Sequence, residues 1–163
     1  MAEQFDLTDE MKAQIGKESS PWTFEVTTTS VRGFARGVGY TDPVYFDVEA
    51  AKKAGYPNLP APPTYLGTAV FLPGKTDDTF SFPPDWSPTV EHGLPGLLDG
   101  GTETEYFDQI CAGDVLTGVN KLAAMDVKES KALGKMLIMV SEATYTNQDG
   151  KVVAIQRGQA IFY

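Results

Sequence analysis

The sequence predicts an α+β fold, with one apolar helix laid across a curled antiparallel sheet. Three observations predict it. First, the C-terminal half carries four strand-like runs, Thr102 to Phe107, Val115 to Val127, Met136 to Thr146 and Val152 to Tyr163. Alternation is clearest in the first and third, as expected of strands with one buried face. Second, turn signals separate the runs. Ala112-Gly113-Asp114 breaks the first pair, and Asn147-Gln148-Asp149-Gly150 offers an Asp-Gly step for the positive φ of a tight hairpin, so the runs read as a meander. Third, Thr64 to Leu72 is apolar nearly all round, the mark of a helix buried in protein.

The elements before that helix follow from local chemistry. Thr8 caps a short helix over Asp9 to Ile15 that Gly16 stops. Pro21 to Thr27 alternates and is rich in aromatic and β-branched residues, which suit a pleated, half-buried surface. Thr29 or Ser30 is then placed to cap a helix from Val31 to about Gly39, with Phe34, Ala35 and Val38 on its buried side. Asp47 caps a two-turn helix, Val48 to Ala54, ended by Gly55. Tyr56 to Pro63 carries four prolines and reads as irregular, because each removes a backbone donor. Pro73 to Gly96, rich in Pro, Gly, Asp and Ser, reads as a long loop serving as a lid or channel wall.

Composition narrows the function. The 163 residues fit one domain, 1–163, and 42% hydrophobic with 21% charged content describes a globular chain. A net charge of -9 argues against a nucleic-acid partner, which draws its affinity from clustered Lys and Arg. A phosphate-bearing ligand would need a local basic patch that overcomes this field, and the sequence does not place one. The lone Cys111 and lone His92 supply neither a disulfide nor a Cys/His zinc set, so no metal or other cofactor is expected. The N-terminus lacks the basic and apolar regions of a signal peptide, and no run approaches the roughly 18 apolar residues of a membrane span. A cytoplasmic protein with no membrane partner is the expectation.

Five segments carry more than architecture. They are Phe34 to Asp47; Ala54-Gly55-Tyr56; Leu59 to Tyr65; Ala112-Gly113-Asp114-Val115-Leu116; and Tyr145 to Gly150. In this order they resemble the MaoC-like, (R)-specific enoyl-thioester hydratases and dehydratases, specifically the N-terminal-type domain, from Gly16 onward. The resemblance implies a hot-dog fold, a sheet wrapped around a central helix, with two such units paired.

Active members of that family use an Asp and a His, in an Asp-x-Asn-Pro-x-His arrangement, to add or remove water across an acyl thioester. Anchored on Pro43, the Asp position is Tyr40, the Asn position is Asp42 and the His position is Tyr45. A phenol with a pKa near 10 is a poor base at neutral pH, so both proton-handling groups are missing. A glycine N–H that polarises the thioester carbonyl in active relatives is also replaced, by Pro62-Pro63. The resemblance therefore points to the half of a two-part dehydratase that shapes the acyl channel beside a catalytic partner. Tyr40, Tyr45, Ala61, Pro62, Pro63 and Thr64 are its expected substrate-binding residues. Coenzyme A or acyl carrier protein would bring the acyl thioester, and the assembly would be a homodimer or a heterodimer with a catalytic MaoC-like subunit.

Other readings stay open. Tyr40, Asp42 and Tyr45 can equally form a turn with tyrosines packing the helix end. The chain can be a non-enzymatic acyl-binding or scaffold dimer. It can also be a self-sufficient hydratase or thioesterase using Asp42, Tyr45 or His92, the last paired with Glu91 or Asp99, although Thr64 to Leu72 has no carboxylate of the kind hot-dog thioesterases use. Cys111 reads as a small buried hydrophobe, and Gly100-Gly101 as a β-bulge close to a partner subunit.

Overall fold

The computed structural model describes residues 6–67 and 90–163. Thr8 caps α1 (Asp9–Lys12), accepting from the Met11 N–H. The helix is shorter than expected because Gln14 and Ile15 bond three residues back, to Met11 and Lys12, and so tighten into turns before Gly16 at φ 84°. β1 (Trp22–Glu25) follows. The next cap is Thr27, not Thr29 or Ser30. Thr27 continues the extended backbone of β1 and accepts from Ser30 N–H at 3.0 Å, while Ser30 Oγ accepts from Thr27 N–H at 3.0 Å. This reciprocal box starts α2 (Thr28–Gly37) three residues earlier than the apolar spacing implied, and it buries Val31 and Ala35. A 3-10 turn (Pro43–Tyr45) and α3 (Val48–Lys53, capped by Asp47) complete the helical layer.

Of the expected central helix, Thr64 to Leu72, the described part is a 3-10 turn at Tyr65–Gly67. The remainder, with most of the expected loop, lies outside the described residues. Residues 90–96 have no regular structure, and β2 (Leu97–Tyr106) begins five residues before the alternating run. β3 (Val115–Ser130), β4 (Gly134–Thr146) and β5 (Val152–Phe162) are antiparallel neighbours, joined by turns at 131–133 and 147–151. In the second turn Gly150 takes φ 78°.

The sheet order is β1-β3-β4-β5-β2. β2 therefore does not form the first hairpin of a meander with β3; it pairs with β5 at the opposite edge from β1. The reason lies in residues 107–114, which are a crossover and not a turn. Ile110, Cys111 and Ala112 are buried, and their burial draws the chain beneath the end of the sheet from one edge to the other. There the crossover runs antiparallel to the proline-rich segment, with Ala61 N–H donating to Ile110 O at 2.8 Å and Ala112 N–H to Leu59 O at 2.8 Å. Register shifts at Leu122/Ala124 and Asp99/Gly101 are bulges, which bend the sheet. The second is the one expected at Gly100-Gly101, with Gly101 at φ 104° and its N–H held by Asp99 Oδ1 at 2.8 Å.

The core lies between the inner face of this sheet and the helical layer. Trp22 anchors it, stacked on Phe24 with ring centroids 5.5 Å apart and edge-on to Tyr145 at 5.6 Å, with Leu116, Ala143 and Ala154 beside it. Leu59, Tyr65 and Ile110 close it from the helical side. The opposite face carries a row of charges, Lys121, Glu142 and Arg157, on three neighbouring strands. Glu142 accepts from both cations at 2.7 Å, and these bonds hold its carboxyl below the usual range.

Gly118 sits directly under the Trp22 ring, where a β-carbon would overlap the indole. Gly118→Ala should therefore destabilise the protein by about 1–3 kcal/mol, as overpacking does. The check is a lowered denaturant midpoint with an unchanged slope.

Candidate functional site

Two helix ends and one turn bring three tyrosines together. α2 ends with Gly39 at φ 83°, and the Tyr40 N–H reaches back to Ala35 O at 2.9 Å while Gly39 N–H bonds Arg36 O at 3.2 Å. α3 ends in the same way. Gly55 takes φ 95°, Tyr56 N–H bonds Ala51 O at 3.0 Å and Gly55 N–H bonds Lys52 O at 3.0 Å. Each is a Schellman motif, and in each the residue after the glycine is a tyrosine. Between them Asp42 caps the 3-10 turn, its Oδ1 accepting from Val44 N–H at 3.0 Å, and sets Tyr45 against both. The Tyr40 and Tyr45 ring centroids are 5.2 Å apart.

Tyr45 and Tyr56 form one wall of a cavity of about 540 Å³. Pro60, Ala61 and Pro63 form a second wall, and the end of β2 with the start of the crossover, Tyr106 to Gln109, forms the third. The Tyr106 hydroxyl donates to the Pro63 carbonyl and ties the last two walls together. Of the expected binding residues, Tyr45, Ala61 and Pro63 face this space and Tyr40 backs Tyr45. Pro62 is fully buried and packs into the core, while Thr64 is exposed and outside the lining.

The site's chemistry is that of neutral phenols. Burial, reinforced by Tyr40, Tyr56 and Asp42, raises the pKa of Tyr45, so it keeps its proton at neutral pH and is no base. Burial pushes Tyr106 up to about 12. Asp108 is the one carboxylate among the described lining residues, and it is occupied. Lys151 Nζ sits 2.7 Å from its Oδ2, Gln109 N–H bonds its Oδ1, and both hold its carboxyl below the usual range. Asp42 spends its carboxylate on the turn. The cavity can therefore hydrogen-bond an uncharged group, and among the described residues its lining offers no free carboxylate and no free cation. Among the described residues, no three His, Cys, Asp or Glu side chains converge as metal ligands.

His92 stands apart. Its ring packs on Phe162 with centroids 4.1 Å apart, and its Nδ1 accepts from Leu94 N–H at 3.1 Å. Phe162 pairs with Leu97 at one end of β2, whereas Tyr106 closes the other, nine residues or roughly 30 Å along the strand. Burial lowers the pKa of His92, which favours the neutral ring. Asp99, a possible partner, is used in the bulge. Cys111 is buried, as its apolar reading expects.

The sequence did not mark out Tyr56, Tyr106, Asp108 or Gln109. A signal existed for the first: Gly39-Tyr40 and Gly55-Tyr56 are the same helix-ending pair. No pattern flagged the other three, because they join the site through the crossover.

Two outcomes check this geometry. Tyr106→Phe leaves the Pro63 carbonyl without its donor and should lower stability by about 1 kcal/mol in denaturant unfolding. Burial raises the Cys111 thiol from 9.0 to about 11, so the folded protein should resist iodoacetamide at pH 8 to 9. The thiol should become reactive only as pH approaches 11, or promptly on unfolding; fast labelling of folded protein at pH 8 would contradict the burial.

Known proteins agree with this architecture. A family model described as the FAS1-like dehydratase domain region matches residues 13–156. A UPF0336 protein of Parafrankia sp. (strain EAN1pec) is 31% identical over 131 residues, 80% of this chain and 79% of the relative. A probable enoyl-CoA hydratase alpha subunit of Thermomonospora curvata is 25% identical over 143 residues, covering 81% of this chain but 43% of that protein. Among solved structures, the HadBC (3R-hydroxyacyl-ACP dehydratase) complex from Mycobacterium tuberculosis matches with a TM-score of 0.66 and 21% identity, over 91% of this chain and 96% of that one. With a curled five-stranded sheet that gives it the hot-dog fold of these solved structures and a family match across most of its length, the chain belongs to the family described as the FAS1-like dehydratase domain region.

Proposed function

We propose that this chain is the non-catalytic half of an acyl-thioester hydratase or dehydratase, shaping a chamber for the acyl part of the substrate beside a catalytic hot-dog partner. The observation that carries the reading is Tyr45. At the place where the family keeps its histidine stands a half-buried phenol, packed on Tyr40 and raised in pKa. Adding water to an enoyl thioester needs a group that takes a proton from water near neutral pH and another that delivers one to carbon. The described lining has neither, yet it keeps a half-open space with aromatic and proline walls.

A partner is supported by β2. Its outer edge has no neighbouring strand among the described residues, and nine of its ten residues are exposed. A ten-residue edge carrying Leu97, Leu98 and Tyr106 exposed is a pairing hazard unless another chain covers it. The similar HadBC is a complex of two kinds of subunit, and the Thermomonospora relative is named as an alpha subunit.

The test is reconstitution. Purified alone, the chain should leave crotonyl-CoA at the uncatalysed rate. Co-expressed with a MaoC-like protein that carries the Asp-His pair, it should co-purify and the complex should hydrate the thioester, with turnover unchanged by His92→Ala. Hydration by the isolated chain would reject the reading. Saturable acyl-CoA binding with no turnover in any pairing would replace it with the acyl-binding scaffold.

A further inference from the structure

The register of the sheet sorts its side chains onto two faces, because residues directly opposite on antiparallel strands point the same way. Gly118, Tyr145 and Ala154 stand opposite one another and pack with Trp22 in the core, so theirs is the inner face. The outer face then carries Lys121, Glu142, Arg157 and Glu103, opposite one another across β3, β4, β5 and β2. Charge alternates in sign along this row. Glu142 holds the cations on either side of it at 2.7 Å, whereas Glu103 is exposed and makes no ion pair among the described residues.

The rest of that face is not what water selects. A solvated sheet face turns polar residues outward, yet Ile138 and Val140 on β4 and Ile155 and Ile161 on β5 flank the charged row, and Leu98 of β2 is 44% exposed opposite Ile161. At the β2 bulge Gly100 and Gly101 have no side chains, and a hollow of about 360 Å³ opens between them, Val140 and Arg157. A cover for this face has to match its charges as well as its aliphatic groups. Reversed end for end, the row becomes its own complement. A second copy related by a two-fold axis that runs along the strands, between β4 and β5, presents the row in that reversed order. β4 of each copy then lies over β5 of the other: Glu142 meets the second copy's Arg157, Lys121 its Glu103 and Ile138 its Ile161. An axis along the row would set each charge against itself. Two chains of net charge -9 repel at long range, so self-association needs a local match of this kind.

We infer that the outer face of the sheet is a self-association surface, on which two copies of this chain pack sheet to sheet with their Lys121, Glu142, Arg157 and Glu103 rows running in opposite directions. Sheets stacked in this way lie about 10 Å apart with strands aligned to within about 30°, which lets one row of charges face another. The surface is separate from the outer edge of β2, which pairs through backbone groups and stays open to a catalytic partner. A chain engaged at both would join two such pairs into one assembly. Nothing in this inference depends on the acyl-chamber reading.

The test is sedimentation equilibrium of the full chain at low and physiological salt. The parent should reach the mass of a dimer, with a dissociation constant that rises with salt. Lys121→Glu and Glu103→Lys, each alone, set like charges against each other twice across the two-fold axis and should weaken the dimer about tenfold or more. Mixed in equal amounts, the two variants should associate about as tightly as the parent, because each copy then meets an opposite charge at both places. Such rescue cannot arise within one chain, where residues 121 and 103 lie three strand spacings apart, roughly 14 Å. Ile138→Lys, on the middle of the face, should also dissociate the dimer, while Val38→Lys, exposed at the end of α2 in the helical layer, should not. Each variant is first checked for the parent's cooperative unfolding in denaturant; should a charge variant fail to fold, the comparison of Ile138→Lys with Val38→Lys decides. A parent that stays monomeric, a dimer unmoved by the charge variants or by Ile138→Lys, or a mixture no tighter than its components would overturn the inference.

Discussion

The short antiparallel contact between Leu59–Ala61 and Ile110–Ala112 holds the two halves of this molecule in register. Two backbone hydrogen bonds, both buried, join a segment in which three of six residues at 58–63 are proline to a crossover that passes beneath the sheet. Proline supplies no N–H, so the segment has few donors to give, and it spends the Ala61 donor here. The consequence is geometric. Pro60, Ala61 and Pro63 are pinned opposite Tyr106 to Gln109, and the space left between them is the cavity. If the crossover were a simple hairpin turn, β2 would lie beside β3 and the third wall would not exist.

That cavity is bounded by groups that packing and local bonds already occupy. In a hydratase the acid and base must stay partly unsatisfied, so that they can reach the substrate, and this costs stability. Here the polar groups around the cavity are already engaged in packing or in local bonds. Tyr40 covers Tyr45, Asp42 closes a turn and Asp108 is neutralised by Lys151. Tyr45 and Tyr106 are pushed up and Asp108 is pushed down, each further into the protonation state it already has at neutral pH. Catalytic sites shift pKa values toward neutrality, so the direction of these shifts is itself an argument about role.

Much of this was legible in the sequence where the cause is local. The caps at Thr8 and Asp47, the ends of β4 and β5, the Gly100-Gly101 bulge and the burial of Cys111 follow from neighbours a few residues away. Thr27 was hidden because the apolar spacing of Val31, Phe34 and Ala35 marks the buried face of α2 but not its first turn, which Thr28 and Thr29 begin without apolar content. The pairing of β2 with β5 was hidden for a different reason. Ala112-Gly113-Asp114 does turn the chain, but which strands it separates depends on where Ile110 and Cys111 find burial, and that is decided by Leu59, some fifty residues away. Tyr106 and Asp108 were lost with it, since they reach the site only through that long-range contact.

The repeated Gly-Tyr pairs explain why the cavity keeps a defined shape. A helix ending in a left-handed glycine turns its next residue back across the last turn, which fixes the direction of that side chain through backbone bonds and not through its own polar contacts. Tyr40 and Tyr56 are aimed in this way from two helices, and neither depends on a ligand or on the other to hold its place. The same two helix ends carry the exposed Arg36 and Lys53, whose charges complement the carbonyl ends of the helices while their head groups stay in water. A single local device, repeated at two helix ends, therefore fixes Tyr56 in the wall of the cavity and Tyr40 behind Tyr45.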